Sequence, residues 1–225
     1  MRKSHAFGFA ALTLFLTACG GKSTDETKTA EEQVVAEKQG ETYAVNLEAS
    51  KVDWKAFHKG GFAPRWGTLA IKSGEVSLAG AELTAGDFVI DMQSLKVDPA
   101  SVTEKDKKYT DLEAHLKNAD FFDVEKNPTA DFKITSVANL SGATESAVAG
   151  ANKTISGNLT LKGKSLNVTF PAKVSVTDGN VGIEAKFTVN RADWDIKFGT
   201  SETDPAEWMI SKDIEIGINV KAAKK

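Results

Sequence analysis

From Thr42 onward, apolar and polar residues alternate along most of the chain. Tyr43, Val45 and Leu47 open the pattern. Val52, Trp54 and Ala56 follow against Asp53 and Lys55, then Phe88, Ile90 and Met92. The second half repeats it with longer runs: Val168, Phe170, Ala172, Val174 and Val176, then Val181, Ile183, Ala185, Phe187 and Val189, and finally Ile214, Ile216, Ile218 and Val220. Successive side chains of a strand point to opposite faces, so these runs predict strands with one dry and one wet face. Asp178-Gly179 between two runs is a strong two-residue hairpin signal, and Lys162-Gly163-Lys164 separates another pair. Pro171 falls on the polar face of its run and marks an edge position or a bulge.

One segment leaves this period. In "VTEKDKKYTDLEAHLKN", residues 102–118, Tyr109, Leu112 and Leu116 recur at helical spacing among charges. Thr103 followed by Asp106 predicts an N-terminal cap, and Asn118 lies near the expected end. Directly after it comes the doublet Phe121-Phe122, enclosed by Asp120 and Asp123. Neighbouring aromatics cannot both face one core from a regular strand, so the doublet belongs to the connection between helix and strand. The fold class is all-β and antiparallel, with about eight strands and one amphipathic helix. A sandwich and a closed barrel both bury one face of every strand, so periodicity leaves that choice open.

The first residues are set apart from the fold. Arg2 and Lys3 precede an apolar run from Ala6 to Ala18, which suits a signal-peptide core and is too short to span a bilayer as a helix. Leu16-Thr17-Ala18-Cys19 resembles a bacterial lipobox. That resemblance implies a lipoprotein signal peptide over residues 1–18, cleavage before Cys19 and lipidation of Cys19. Cys19 is the only cysteine, so no intramolecular disulfide can form. A diacylglyceryl group or more on Cys19 would give stable membrane anchoring. Gly20, in place of an aspartate that signals retention at the inner membrane, points to the outer membrane, facing periplasm or cell surface. Residues 19–41 are polar apart from Val34-Val35 and are expected to form a flexible tether to a single domain over 42–225.

With 28 basic and 31 acidic residues the formal net charge is −3, and the lysines are scattered, which argues against nucleic acid as a partner. Of three histidines, His58 and His115 survive signal cleavage, far apart and without metal-ligand spacing. No nucleophile elbow or phosphate loop occurs. Asp87, Asp91, Asp193 and Asp195 are carboxylates that nothing marks as an acid–base pair. Neither enzymatic activity nor a cofactor is expected.

Several blocks, read in order, resemble the YceI-like family of bacterial polyisoprenoid-binding proteins. They are "VDWKAFH" (52–58), "GDFVIDMQSLKV" (86–97), "DLEAHLKNADFFDVEKNPTADFKITSV" (111–137), "GNLTLKGKSLNVTFPAKV" (157–174) and "FTVNRADWDIKFG" (187–199). The resemblance covers nearly all of 42–222. It implies an elongated, lipocalin-like antiparallel β-barrel whose apolar lumen takes an amphiphilic lipid such as an isoprenoid quinone or polyprenyl lipid. The lumen residues so implied are Trp54, Phe62, Trp66, Phe88, Ile90, Met92, Leu116, Phe121, Phe122, Phe132, Phe170 and Phe187. His58 and Arg191 are the candidates for the lipid head group, with a satisfied strand-end histidine as the alternative for the first and a salt bridge to Asp193 or Asp195 for the second. The doublet is expected to place one ring under the helix with Leu112 and Leu116 and the other towards the barrel mouth. "GGFAPRWG" (60–67) and "SGATESAVAGANK" (141–153) depart from the family pattern in ways that would alter that mouth. Two competing readings are a filled-core envelope module acting through protein contacts, and an enzyme using the carboxylates beside Arg191. A homodimer is left open.

Overall fold

The computed structural model describes residues 24–141, 146–203, 205 and 208–225, so Cys19 and the expected signal peptide lie outside the described residues. The strands are β1 (Asp25–Glu26), β2 (Thr29–Glu31), β3 (Glu41–Val45), β4 (Lys51–His58), β5 (Arg65–Ala79), β6 (Glu82–Val97), β7 (Thr129–Asn139), β8 (Lys153–Leu161), β9 (Lys164–Thr177), β10 (Asn180–Asn190) and β11 (Ile210–Lys224). One helix, α1, spans Tyr109–Lys117.

Strands β4 to β11 pair in chain order, each antiparallel to the next, and β11 returns to pair with β4. The sheet is therefore closed into a barrel, which decides what periodicity left open. β3 occupies the same place between β5 and β11 as β4, but at the other end, opposite Val76 and Ala222 instead of Leu69 and Ile218. The turns follow their residues. Lys162 and Gly163, and likewise Asp178 and Gly179, take positive φ, as a tight hairpin turn matched to strand twist requires.

The barrel has a seam between β9 and β10. The β9–β10 ladder runs from Thr177 opposite Asn180 to Ala172 opposite Ala185 and stops there. The next residue of β9 is Pro171, which has no N–H with which to extend it. Beyond that point the strands part and the N-terminal segment enters. β1 pairs parallel with β10 at Phe187 and Thr188, and β2 pairs antiparallel with β9 at Leu166 to Val168.

This corrects the expected tether over 19–41, as far as residues 24–41 are concerned. The segment continues across the outside of the barrel. The Gln33 amide donates to Asn158 Oδ1, Asn158 Nδ2 donates to the Gln33 carbonyl, and the Ala36 amide donates to the Ile134 carbonyl. Lys38 then pairs with Glu75. The physical reason is that parted strands leave backbone groups needing partners, and a polar segment can supply them without apolar residues of its own. Asp25 is buried, accepting hydrogen bonds from the Ser146 hydroxyl and the Ala147 amide.

The helix begins later than its spacing suggests. Residues 99–101 form a short 3-10 turn, in which the Asp98 side chain accepts from the Ala100 amide. Lys108 is the residue at the helix N-terminus, without a side-chain cap, so Thr103 and Asp106 do not play the expected part. The segment between is held at the mouth instead: Arg65 donates to the Ser101 carbonyl at 2.8 Å and pairs with Glu104 at 2.5 Å.

Candidate functional site

The helix-covered half of the barrel encloses a cavity of about 450 Å³. Val52, Trp54 and Ala56 of β4 line one side, with Leu69 of β5 and Ile90 and Met92 of β6 beside them. Ile210, Ile214, Ile216 and Ile218 of the adjoining β11 and Phe187 and Val189 of β10 continue the wall. Each set is the inward half of an alternating strand, so the wall is apolar by register. The β11 isoleucines belong to the lumen as much as its aromatics do. Their signal was the parity itself.

Helix α1 and the doublet form the lid over this space. The Glu113 carboxylate accepts from the Val97 amide at 3.1 Å and ties the helix to the end of β6. Leu112 and Leu116 pack with Trp54, Leu95, Val97 and Phe122. After the helix, the Phe122 amide donates to the Leu116 carbonyl and the Asp123 amide to the Asn118 carbonyl, with Asp123 at φ 46°. This tight return sends the two rings to different neighbours. Phe122 sits under the helix, whereas Phe121 lies edge-on to His115 at 5.0 Å and tilted against Phe198 at 5.2 Å. Both border the cavity.

Polar groups gather at the mouth: His58, Arg65, Asp106, Lys107, Lys108, Asp111 and His115. Four of these come from the 106–111 stretch, whose position depends on the anchoring of Glu104 by Arg65 and was not legible as a mouth in the sequence. Glu104 is held down to about 2 by a hydrogen bond from its own backbone amide and by Arg65. His58 lies at the rim, its ring 5.4 Å from Phe62.

Arg191 does not fill the expected role. It borders the cavity, yet it is only 2% exposed and its guanidinium donates to the carbonyls of Ser211, Ile196, Phe198 and Ile210 at 3.0, 2.8, 2.8 and 3.3 Å. It also lies over the Phe121 ring at 5.7 Å. Burial lowers its pKa to about 10, which leaves it charged at neutral pH. Carbonyl dipoles stabilise that charge, so Arg191 is a strut tying the end of β10 to the start of β11 and to the connection between them, and not a free reader of a head group. The alternative salt bridge is absent too. Asp193 accepts from the Thr29 hydroxyl, and Asp195 lies on the surface between Lys164 and Lys197.

Four of the expected wall residues are placed elsewhere. Phe62 is 46% exposed, in the connection between β4 and β5. Trp66 alternates with Gly67 and Leu69 and so faces outward. The inward position opposite Trp54 must be glycine, because a Cβ on Gly67 would lie 1.8 Å from the Lys96 carbonyl oxygen. Phe88 and Phe170 point inward but border a separate chamber of about 50 Å³ below the main one. Trp54, Ile90, Met92, Leu116, Phe121, Phe122, Phe132 and Phe187 do line the main cavity. Among the described residues no three His, Cys, Asp or Glu side chains converge as metal ligands would.

A YceI-like domain model matches residues 43–222. A UPF0312 protein of Pseudomonas paraeruginosa is 31% identical over 152 residues, covering 62% of this chain and 70% of the relative. Protein YceI of Salmonella paratyphi B is 29% identical over 150 residues, with the same coverage. Among solved structures, BcnA of Burkholderia cenocepacia superposes with a TM-score of 0.58 at 20% identity, over 80% of this chain and 99% of that one. A polyisoprenoid-binding domain from Saccharophagus degradans superposes with a TM-score of 0.54 at 14% identity, over 81% and 98%. At these identities the two structures share the fold.

Proposed function

The chain belongs to the YceI-like family, and we propose that it is a non-enzymatic binding protein that holds a long-chain isoprenoid-type or similar amphiphilic lipid in its barrel lumen. The observation that carries this reading is the cavity of about 450 Å³, walled by inward apolar side chains, with the polar groups that border it gathered at the mouth or, as Arg191, satisfied by backbone carbonyls. Its size falls in the range of small-ligand sites. Each methylene moved from water into such a wall contributes about 0.8 kcal/mol, so a hydrocarbon tail has strong reason to enter. The family membership and the description of the Saccharophagus degradans neighbour as polyisoprenoid-binding support the ligand class. Hollow space disfavours a filled-core contact module, and Asp193 and Asp195 lie away from the cavity, which disfavours catalysis beside Arg191.

With lipid on Cys19, the protein would store, scavenge or ferry its ligand at the cell envelope, most simply from the outer membrane. Head-group contacts pass from Arg191 to the mouth residues, His58 with Lys107 and Lys108. Native mass spectrometry of gently purified protein, followed by organic extraction, tests the reading. A bound isoprenoid or other amphiphile near one per chain is expected. Protein that is empty and ignores added isoprenoid quinones would overturn it.

A further inference from the structure

The lumen does not run the length of the barrel. A tier of phenylalanines crosses it. Phe132 of β7 lies 6.4 Å from Phe88 and 5.7 Å from Phe170, and Phe170 stacks on Phe187 at 4.0 Å and 5°. Phe132 is the one aromatic, among the described residues, that borders both the large chamber and the small one beneath it. Its seat is made by a missing side chain: a Cβ on Gly157 would lie 2.2 Å from the tip of the Phe132 ring. Aromatic rings on two sides, the second backed by Phe187, and a glycine seat leave the ring little freedom to step aside.

We propose that Phe132 is the floor of the binding lumen and makes it a length ruler for the lipid tail; this rests on the lipid-binding reading above. If a cavity of about 150 Å³ holds one six-carbon ring, 450 Å³ holds about 18 carbons, or three to four isoprene units. The ligand class selected is therefore an amphiphile whose buried tail has about 15 to 20 carbons. A longer tail leaves its remainder outside the mouth, where it adds no affinity.

Titration of the purified protein with all-trans isoprenyl alcohols of about 10, 15, 20 and 30 carbons tests the ruler, with tightening of at least about tenfold per five-carbon unit while the tail is being buried. Affinity is expected to rise up to the 20-carbon alcohol and then level off. Phe132→Ala joins the two chambers and should tighten the 30-carbon alcohol at least about tenfold over wild type. Gly157→Ala pushes the ring into the lumen and should weaken the 20-carbon alcohol more than the 15-carbon one. Wild-type affinity that keeps rising to 30 carbons overturns the ruler while leaving lipid binding intact. A folded Phe132→Ala protein with an unmoved plateau removes Phe132 as its floor. If neither variant folds, the wild-type plateau alone decides. No binding of any alcohol brings down the ruler together with the reading it rests on.

Discussion

The two halves of this barrel are built from the same alternation, and one is hollow while the other is full. At the β3 end, Tyr43, Val76, Leu78, Leu83, Val181 and Val220 are all buried and fill the space between them. At the β4 end, Val52, Leu69, Ile214, Ile216 and Ile218 are only partly buried, because they face a cavity. The residue types hardly differ. The backbone does: β9 and β10 are paired directly in the full half, and in the hollow half they part around β1 and β2. An inserted segment widens the wall on that side, and helix α1 with the Phe121-Phe122 doublet covers the opening. Alternation thus tells which side chains face inward. It does not tell whether those side chains meet.

The largest expected effect comes from removing the cover. Phe121→Ala with Phe122→Ala should destabilise the protein by about 5 kcal/mol, since buried phenylalanines typically cost 3–5 kcal/mol each and Phe122 is only partly buried. Lipid retention should fall with it. Chemical denaturation and mass spectrometry of co-purified lipid measure the two losses. Loss of stability without loss of lipid would make the doublet a helix-docking wedge only.

Paired truncations then sharpen the contrast between halves. Leu78→Ala, at 1% exposure in the full half, should cost about 3 kcal/mol and leave lipid affinity unchanged. Ile214→Ala, bordering the cavity, should cost only about 1 kcal/mol because little packing is lost, yet weaken lipid binding. Equal stability losses would mean that the β4 end collapses as tightly as the β3 end.

Arg191→Met tests the strut. It keeps an apolar body against Phe121 but leaves the carbonyls of Ser211, Ile196, Phe198 and Ile210 without their donor. A loss of about 2 kcal/mol is expected in thermal or chemical unfolding. Preference between anionic and neutral head groups should not change, and a changed preference would return Arg191 to the head-group site.

The smallest effect is the acid response of the two pins. Glu75 is lowered from 4.5 to about 2 by hydrogen bonds from Lys225 and Lys38, and Glu104 from 4.5 to about 2 by its own amide and Arg65. Both carboxylates bind protons less readily folded than unfolded, so their stabilisation is complete above about pH 4.5 and fades as pH falls towards 2. Each is partly exposed, which keeps the contribution small. Hydrogen exchange should show residues 33–39 and 101–108 loosening in that window before the β3-end core does. Simultaneous loss in all three regions would mean that these pins do not hold their segments separately.

Much of the structure could be read from particular residues. The inward faces of β4, β6, β9, β10 and β11 follow from their alternating runs, Asp178-Gly179 turns where its chemistry requires, and Phe121 and Phe122 diverge as neighbours outside a strand must. Aromatic character alone does not place a residue: Trp66 faces outward by parity, with Gly67 in the inward place, and Phe62 lies in the connection between β4 and β5, where parity does not apply. The role of Arg191 is hidden because its partners are backbone carbonyls, and a carbonyl leaves no mark in a sequence. The strap over 24–41 resembles a tether in sequence for a similar reason, since it attaches through its backbone and its polar side chains.

Alone, the sequence determined the strand faces, the turns, the presence of one helix and, through its blocks, the family, because these depend on neighbours within a few residues or on motifs that travel together. Only the tertiary structure decided that the sheet closes, that β9 and β10 part beyond Ala172, and that Phe132 stands across the lumen on the seat left by Gly157. Those are relations between residues distant along the chain. Hollow space in particular is set by how far apart opposite walls are held, a distance that no local pattern encodes.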